Sequence, residues 1–181
     1  MKLDKVWYHG TRTPDINAFW PLSHFGDFNA AKMVCANKKY KDGHDGNPLI
    51  IEVEIDLDKK DVLHTPDAGS PSPIAIANQI VTADVDYKIS AAVVADIKSL
   101  HEQLIDLKKE NKSNRAYERT ALSSTLIKHG FKAISYKNEV ENDDDEISLC
   151  ILDPSIIKII KVIPMCEVEA KTLWDKSKRN M

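Results

Sequence analysis

Two segments, Trp7-Tyr8-His9-Gly10-Thr11 and Ser23-His24-Phe25-Gly26, decide how this chain is read. Val6 to His9 has the apolar character of a short strand, and it delivers a His, a Gly and a Thr to its end. Glycine lets a ligand approach the backbone closely, since it carries no Cβ. The second segment ends in a small-aromatic-Gly turn, placed where a ligand can be held between the two. Pro14 and Pro21 punctuate the loop between them, and Asn29 is positioned to cap a helix running through Ala30, Ala31, Met33, Val34 and Ala36.

Outward from there, Asp42 to Pro48 is a turn-rich loop. Leu49 to Leu57 alternates, with Ile51, Val53, Ile55 and Leu57 on one face and Glu52, Glu54 and Asp56 on the other. That period of two predicts a half-buried strand. Residues 64–73 hold three prolines and a glycine, which reads as a loop, a candidate lid or partner-binding loop. From Lys88 to Asn111 the apolar positions Val93, Ile97, Leu100, Leu104 and Leu107 step by four and three, predicting a helix. A second helix, Ala116 to His129, stops at Gly130. Phe131 to Tyr136, Ile147 to Leu152 and Ile156 to Ile163 read as late strands. A short C-terminal helix around Trp174 is expected to fray into the basic run Lys176 to Arg179. Strands early, helices in the middle and strands late predict an α+β fold in which sequence-distant strands share a sheet. The 181 residues suffice for one domain with a sizeable core, in which residues 84–129 form a largely helical part.

The net charge of −3 gives no bulk attraction to nucleic acid or to an anionic membrane. Cys35, Cys150 and Cys166 are odd in number and show neither disulfide nor metal-ligand spacing. They are expected to be reduced, which fits a cytoplasmic place of action. Met1 to Lys5 leads into the first strand without a signal-peptide run, and no apolar stretch is long enough to span a membrane. The six histidines include no pair at zinc spacing, no phosphate-cradling Gly-x-x-x-x-Gly-Lys loop is present, and no metal is expected.

A third block completes the pattern: Tyr136-Lys137-Asn138-Glu139-Val140-Glu141, then an acidic turn, then Ile147 to Asp153. The three blocks, in this order, resemble an ADP-ribosyltransferase domain of the superfamily that includes diphtheria toxin and poly-ADP-ribose polymerase. The resemblance covers nearly the whole chain. It implies a split, mixed β-sheet core, here with a helical hairpin inserted. It also implies NAD as co-substrate and transfer of ADP-ribose to a macromolecule with release of nicotinamide. His9 and Gly10 match the residues that hold the ribose and the nicotinamide amide, with Thr11 beside them. The Ser23-His24-Phe25-Gly26 turn matches the wall of the nicotinamide pocket. Relatives often carry a stacking Tyr there, whereas this chain offers the rings of His24 and Phe25. Alignment with the polymerase-type strand places Ser148 where the catalytic Glu would stand. A bacterial and phage-type branch instead carries a Tyr-x-Asn-x-x-Glu block, which Tyr136, Asn138 and Glu141 match. Glu141 is therefore the expected catalytic carboxylate, with Glu139 and Glu146 as reserves, and the Glu139-Val140-Glu141 spacing resembles the Glu-x-Glu pair of the arginine-modifying branch. The early Arg and Ser-Thr-Ser run of arginine-modifying toxins are absent.

A protein is the expected acceptor, nucleic acid the alternative one, and no membrane partner is expected. The oligomeric state is open, as is the setting, since a toxin, an effector injected into a host cytosol and a phage protein share this pattern. Two alternatives stand beside this reading. One is NAD hydrolysis or RNA 2′-phosphotransfer on the same fold. The other is a catalytically inactive module that binds NAD, ADP-ribose or a protein.

Overall fold

A computed structural model gives the fold and describes residues 6–83, 85–137 and 147–179. Among the described residues, seven strands form two sheets. The first sheet is antiparallel, with β1 (Trp7–Thr11), β3 (Leu49–Ile55) and β7 (Ile157–Pro164) in that order. The second runs in the order β2 (Ser23–Phe25), β6 (Ile147–Ile151), β5 (Ala133–Lys137) and β4 (Val62–His64). It is mixed, because β4 and β5 are parallel while the other pairs are antiparallel. The sheets meet at one bridge, in which the amides of Tyr8 and Gly26 each donate to the other's carbonyl at 3.0 Å. The α+β class and the sharing of sheets by early and late strands are as the sequence suggests.

Strand alternation then sorts the side chains. Trp7, Phe25, Ile51, Val53, Ile55, Ala133, Leu149 and Ile151 form a core to which both sheets contribute. On its other face, the four-stranded sheet presents Leu63, Ile134, Cys150 and Leu152 to three helices: α2 (Pro73–Thr82), α3 (Ala91–Lys109) and α4 (Arg115–Lys128). The stripe on α3 is Val93, Ile97, Leu100 and Leu104, all buried, as its spacing requires. Each such side chain, fully buried, stabilises the fold by about 1.5–3 kcal/mol. Ser90 caps α3, Asn114 caps α4, and Gly130 follows α4 at φ +90°.

On the other side of the molecule, α1 (Phe28–Tyr40) and α5 (Glu167–Arg179) cover Ile50 of β3 through Ala31, Cys35, Ala36 and Ala170. These small residues bring α1 close to β1. A Cβ placed on Gly10 would lie 2.0 Å from the carbonyl oxygen of Ala31, so this glycine is required by helix packing.

Several details differ from the expectations above. Asp27, not Asn29, caps α1, its carboxylate accepting from the Ala30 amide at 2.7 Å. Helix α2 and strand β4 add to the expected elements, so three helices rather than a hairpin cover the sheet. The C-terminal helix is thirteen residues long, and Lys176 to Arg179 form its last turn. Basic side chains there complement the helix dipole, which favours continuation over fraying.

Candidate functional site

The Tyr8–Gly26 bridge lays the two early motifs side by side. His9 points into the region between the sheets, where Phe19 and Phe25 pack edge-on or tilted against it at 5.2 and 5.5 Å between centroids. Its Nδ1 lies 2.8 Å from the His24 carbonyl oxygen. A carbonyl can only accept, so Nδ1 carries the proton and donates. Burial pushes the His9 pKa down to about 4, which the bond to His24 only partly opposes. The ring is therefore neutral near pH 7, and Nε2 is a bare acceptor. Nε2 has no partner among the described residues and is not one of the enclosed polar atoms, so it can accept a hydrogen bond from a hydroxyl.

His24 shares that hydrogen bond only through its backbone. Its side chain stands on the opposite face of β2, because its neighbour Phe25 belongs to the inter-sheet core and its register partner Cys150 to the helix-covered face. There its Nδ1 is 2.7 Å from the Tyr136 hydroxyl, with the two rings in a T-shaped contact. Burial first, and then the charges of His9, Arg119 and Arg115, hold its pKa near 4. Although His24 as a residue is half-buried, its Nε2 is fully enclosed and has no partner. A small cavity of about 20 Å³ opens here, lined by His24, Thr65, Asp67, Gln79, Tyr136 and Cys150 among others. Part of the Pro-rich loop at 64–73 thus forms a cavity wall.

The remaining expected residues divide. Phe25 is 1 % exposed and is a core side chain, a correction to its candidacy as the stacking ring. Thr11 is also 1 % exposed, and its hydroxyl accepts from the Thr13 amide, so it shapes the turn rather than facing an open site. Gly10 faces α1. At Gly26 an added Cβ would lie 3.1 Å from Ala30 Cβ and 3.2 Å from the Ser148 hydroxyl, so its neighbours would have to give by a few tenths of an ångström. The Ser23 hydroxyl donates to the Trp20 carbonyl at 2.8 Å. It closes a turn whose third residue, the buried Leu22, sits at φ +64°, a strained geometry for a branched side chain. Asn138, Glu139, Glu141 and Glu146 lie outside the described residues. The strand ends flanking them, Lys137 and Ile147, are paired in register, one step from the Tyr136–Ser148 pair.

Two thiols and one serine are poorly placed to act as nucleophiles. Burial raises the thiol pKa values of Cys35 and Cys150, keeping both protonated. Ser135 Oγ lies 2.5 Å from His64 Nδ1, but Ser135 is buried and no carboxylate among the described residues orients His64. No cluster of metal-ligating side chains is found among the described residues, and none of their helices is long and apolar enough to cross a membrane.

Sequence reading missed Phe19, which closes over His9, and Arg119, whose charge reaches His24 and Cys150. Arg119 lies three residues before Leu122 and seven before Leu126, on the apolar stripe of α4, and that position was the available signal. No protein-family model, curated protein or solved structure matches the chain.

Proposed function

We propose that the protein is an NAD-dependent ADP-ribosyltransferase, moving ADP-ribose from NAD to a macromolecular acceptor with release of nicotinamide. The supporting observation is the fixed tautomer of His9. Because Nδ1 donates to the His24 carbonyl, Nε2 presents a neutral acceptor, suited to a ribose hydroxyl. The Tyr8–Gly26 bridge holds the second motif beside it.

In the proposed reaction the glycosidic C1′–N bond breaks and its electron pair leaves on the nicotinamide nitrogen. The ribose passes through an oxocarbenium-like state that a carboxylate stabilises, the role assigned to Glu141. An acceptor nucleophile, on a protein or alternatively a nucleic acid, then bonds to C1′ and loses its proton. The cytoplasm, of the producing cell or of a host, is the proposed place of action.

Glu141→Gln and His9→Ala separate catalysis from binding when NAD affinity and nicotinamide release are measured together. The enzyme reading expects Glu141→Gln to lose release while keeping NAD affinity, and His9→Ala to weaken affinity. NAD binding with no release by the wild type, even with lysate as acceptor, would establish the inactive module instead. The enclosed Nε2 of His24 and the core position of Phe25 favour that second reading.

A further inference from the structure

We infer that residues 13–21 form a lid over His9, latched by Phe19, that withdraws to admit the ligand. This rests on the His9 site of the proposed function and adds how that site opens. Both ends of the segment are fixed. Arg12 is buried and donates to the carbonyls of Cys35 and Gly46 and to Glu167. Leu22 is buried too, and its amide donates to the Ile151 carbonyl at 2.8 Å.

Between these anchors the chain is held weakly. Thr13, Pro14, Asp15, Asn17, Ala18 and Trp20 are exposed. The Thr13 amide donates to the Thr11 hydroxyl, and the Trp20 carbonyl accepts from the amide and hydroxyl of Ser23, bonds that are local to the two ends. Among the described residues, no hydrogen bond ties residues 14–19 to either sheet. What holds them is the packing of two half-buried side chains, Ile16 and Phe19, against the inter-sheet core. A segment with exposed backbone and few buried contacts opens at a lower free energy than the core beneath it.

Phe19 is the latch. Its ring meets His9 at 5.2 Å and Phe25 at 5.0 Å, T-shaped to both. Phe25 is fixed in the core at 1 % exposure, so Phe19 is the ring that can leave. The surface it covers is polar. His9 Nε2 has no partner among the described residues, and an aromatic cover supplies no hydrogen-bond donor of ordinary strength. The closed lid therefore sets burial of Phe19 against an unsatisfied acceptor. A ligand hydroxyl bonded to Nε2 satisfies that acceptor in the open state and shifts the population towards it. Burial is also the largest cause of the low His9 pKa, which fits a covered ring.

Acylation of histidines by diethyl pyrocarbonate, mapped by mass spectrometry, tests the lid on the full chain. His44 is exposed and serves as the internal standard, while His24, with its enclosed Nε2, reports unfolding. In the wild type His9 is expected to react more slowly than His44. Phe19→Ala should speed His9 by about tenfold or more and Ile16→Ala by less, with His24 still protected. The wild type alone gives a second reading in low urea. There His9 should react through a local opening that urea barely changes, while His24 reacts only as the whole protein unfolds. An unchanged His9 rate in folded Phe19→Ala, a wild-type His9 as reactive as His44, or His9 and His24 becoming reactive together along the urea series would overturn the inference. NAD is expected to slow acylation of His9. A lid that opens by these criteria without protection by NAD would leave the lid standing and remove the dinucleotide reading of the site instead.

Discussion

Arg12 and Arg119 are both drawn into the interior, and they are treated in opposite ways. Arg12 is 3 % exposed, and each of its three guanidinium nitrogens has a partner. Its Nε donates to the Cys35 carbonyl at 2.7 Å, Nη1 to the Gly46 carbonyl and Glu167 Oε2 at 2.7 Å, and Nη2 to Glu167 Oε1 at 3.1 Å. The Tyr40 hydroxyl donates to the same carboxylate at 2.6 Å. This network ties the end of β1 to α1 and α5. Arg119 has an enclosed Nε with no hydrogen-bond partner, and no ion pair with an acid among the described residues. A guanidinium whose hydrogen bonds are all made within the chain holds the fold together. Arg119 makes no such tie through its enclosed Nε.

Removing the first arginine is the hardest test of this contrast. Arg12→Met would leave two carbonyls and Glu167 without their donor, and urea denaturation is expected to show a loss of about 3–5 kcal/mol. A loss near zero would make the network ornamental. Gly10→Ala attacks the same junction sterically, since the new Cβ would meet backbone rather than a movable side chain. A destabilisation of about 1–3 kcal/mol is expected, read as a lower urea midpoint.

The pH response separates the two regions. In the folded protein His9 and His24 titrate near pH 4, while in the unfolded chain they take up protons near the ordinary value of 6.5. Between those values the unfolded state binds more protons, so stability falls as pH drops from 6.5 towards 4. His24→Gln should flatten part of that slope in melting curves. Glu167, beside Arg12, is held down to about 2. Its contribution is present above the ordinary carboxylate range and is lost as pH falls through that range towards 2, so Glu167→Gln should flatten only this more acidic limb. The carboxylate is 38 % exposed, so its effect is the smaller one.

The smallest stability change carries the sharpest sign. Arg119→Met removes an unpaired, partly buried charge, and stability should stay level or rise by about 1 kcal/mol, opposite to Arg12→Met. A loss comparable to that of Arg12→Met would erase the distinction between the two arginines.

Periodicity made much of this fold legible. The alternation of Ile51, Val53 and Ile55 and the three-four stepping of Val93, Ile97, Leu100 and Leu104 carry their own geometry. Helix α2 was not legible in the same way. Its run Ile74-Ala75-Ile76-Ala77 alternates like a strand, and it is the burial of Ile76, Ala77 and Ile80 behind Pro73 that suits a helix. Strand β4 is three residues long and pairs in parallel with a strand about seventy residues later, a contact that no local pattern encodes. At the site, motif order brought His9 and the second motif together. Which of His24 and Phe25 faces the core depends on register with β6, and Arg12's partners come from three other parts of the chain.

Nicotinamide release from NAD, measured for purified wild type beside Glu141→Gln with cell lysate as acceptor source, tests the proposed function most directly. The account predicts release by the wild type and a fall of about a hundredfold or more in the variant. Equal release by both proteins would contradict the assignment of the carboxylate, and no release by either would contradict transferase activity itself.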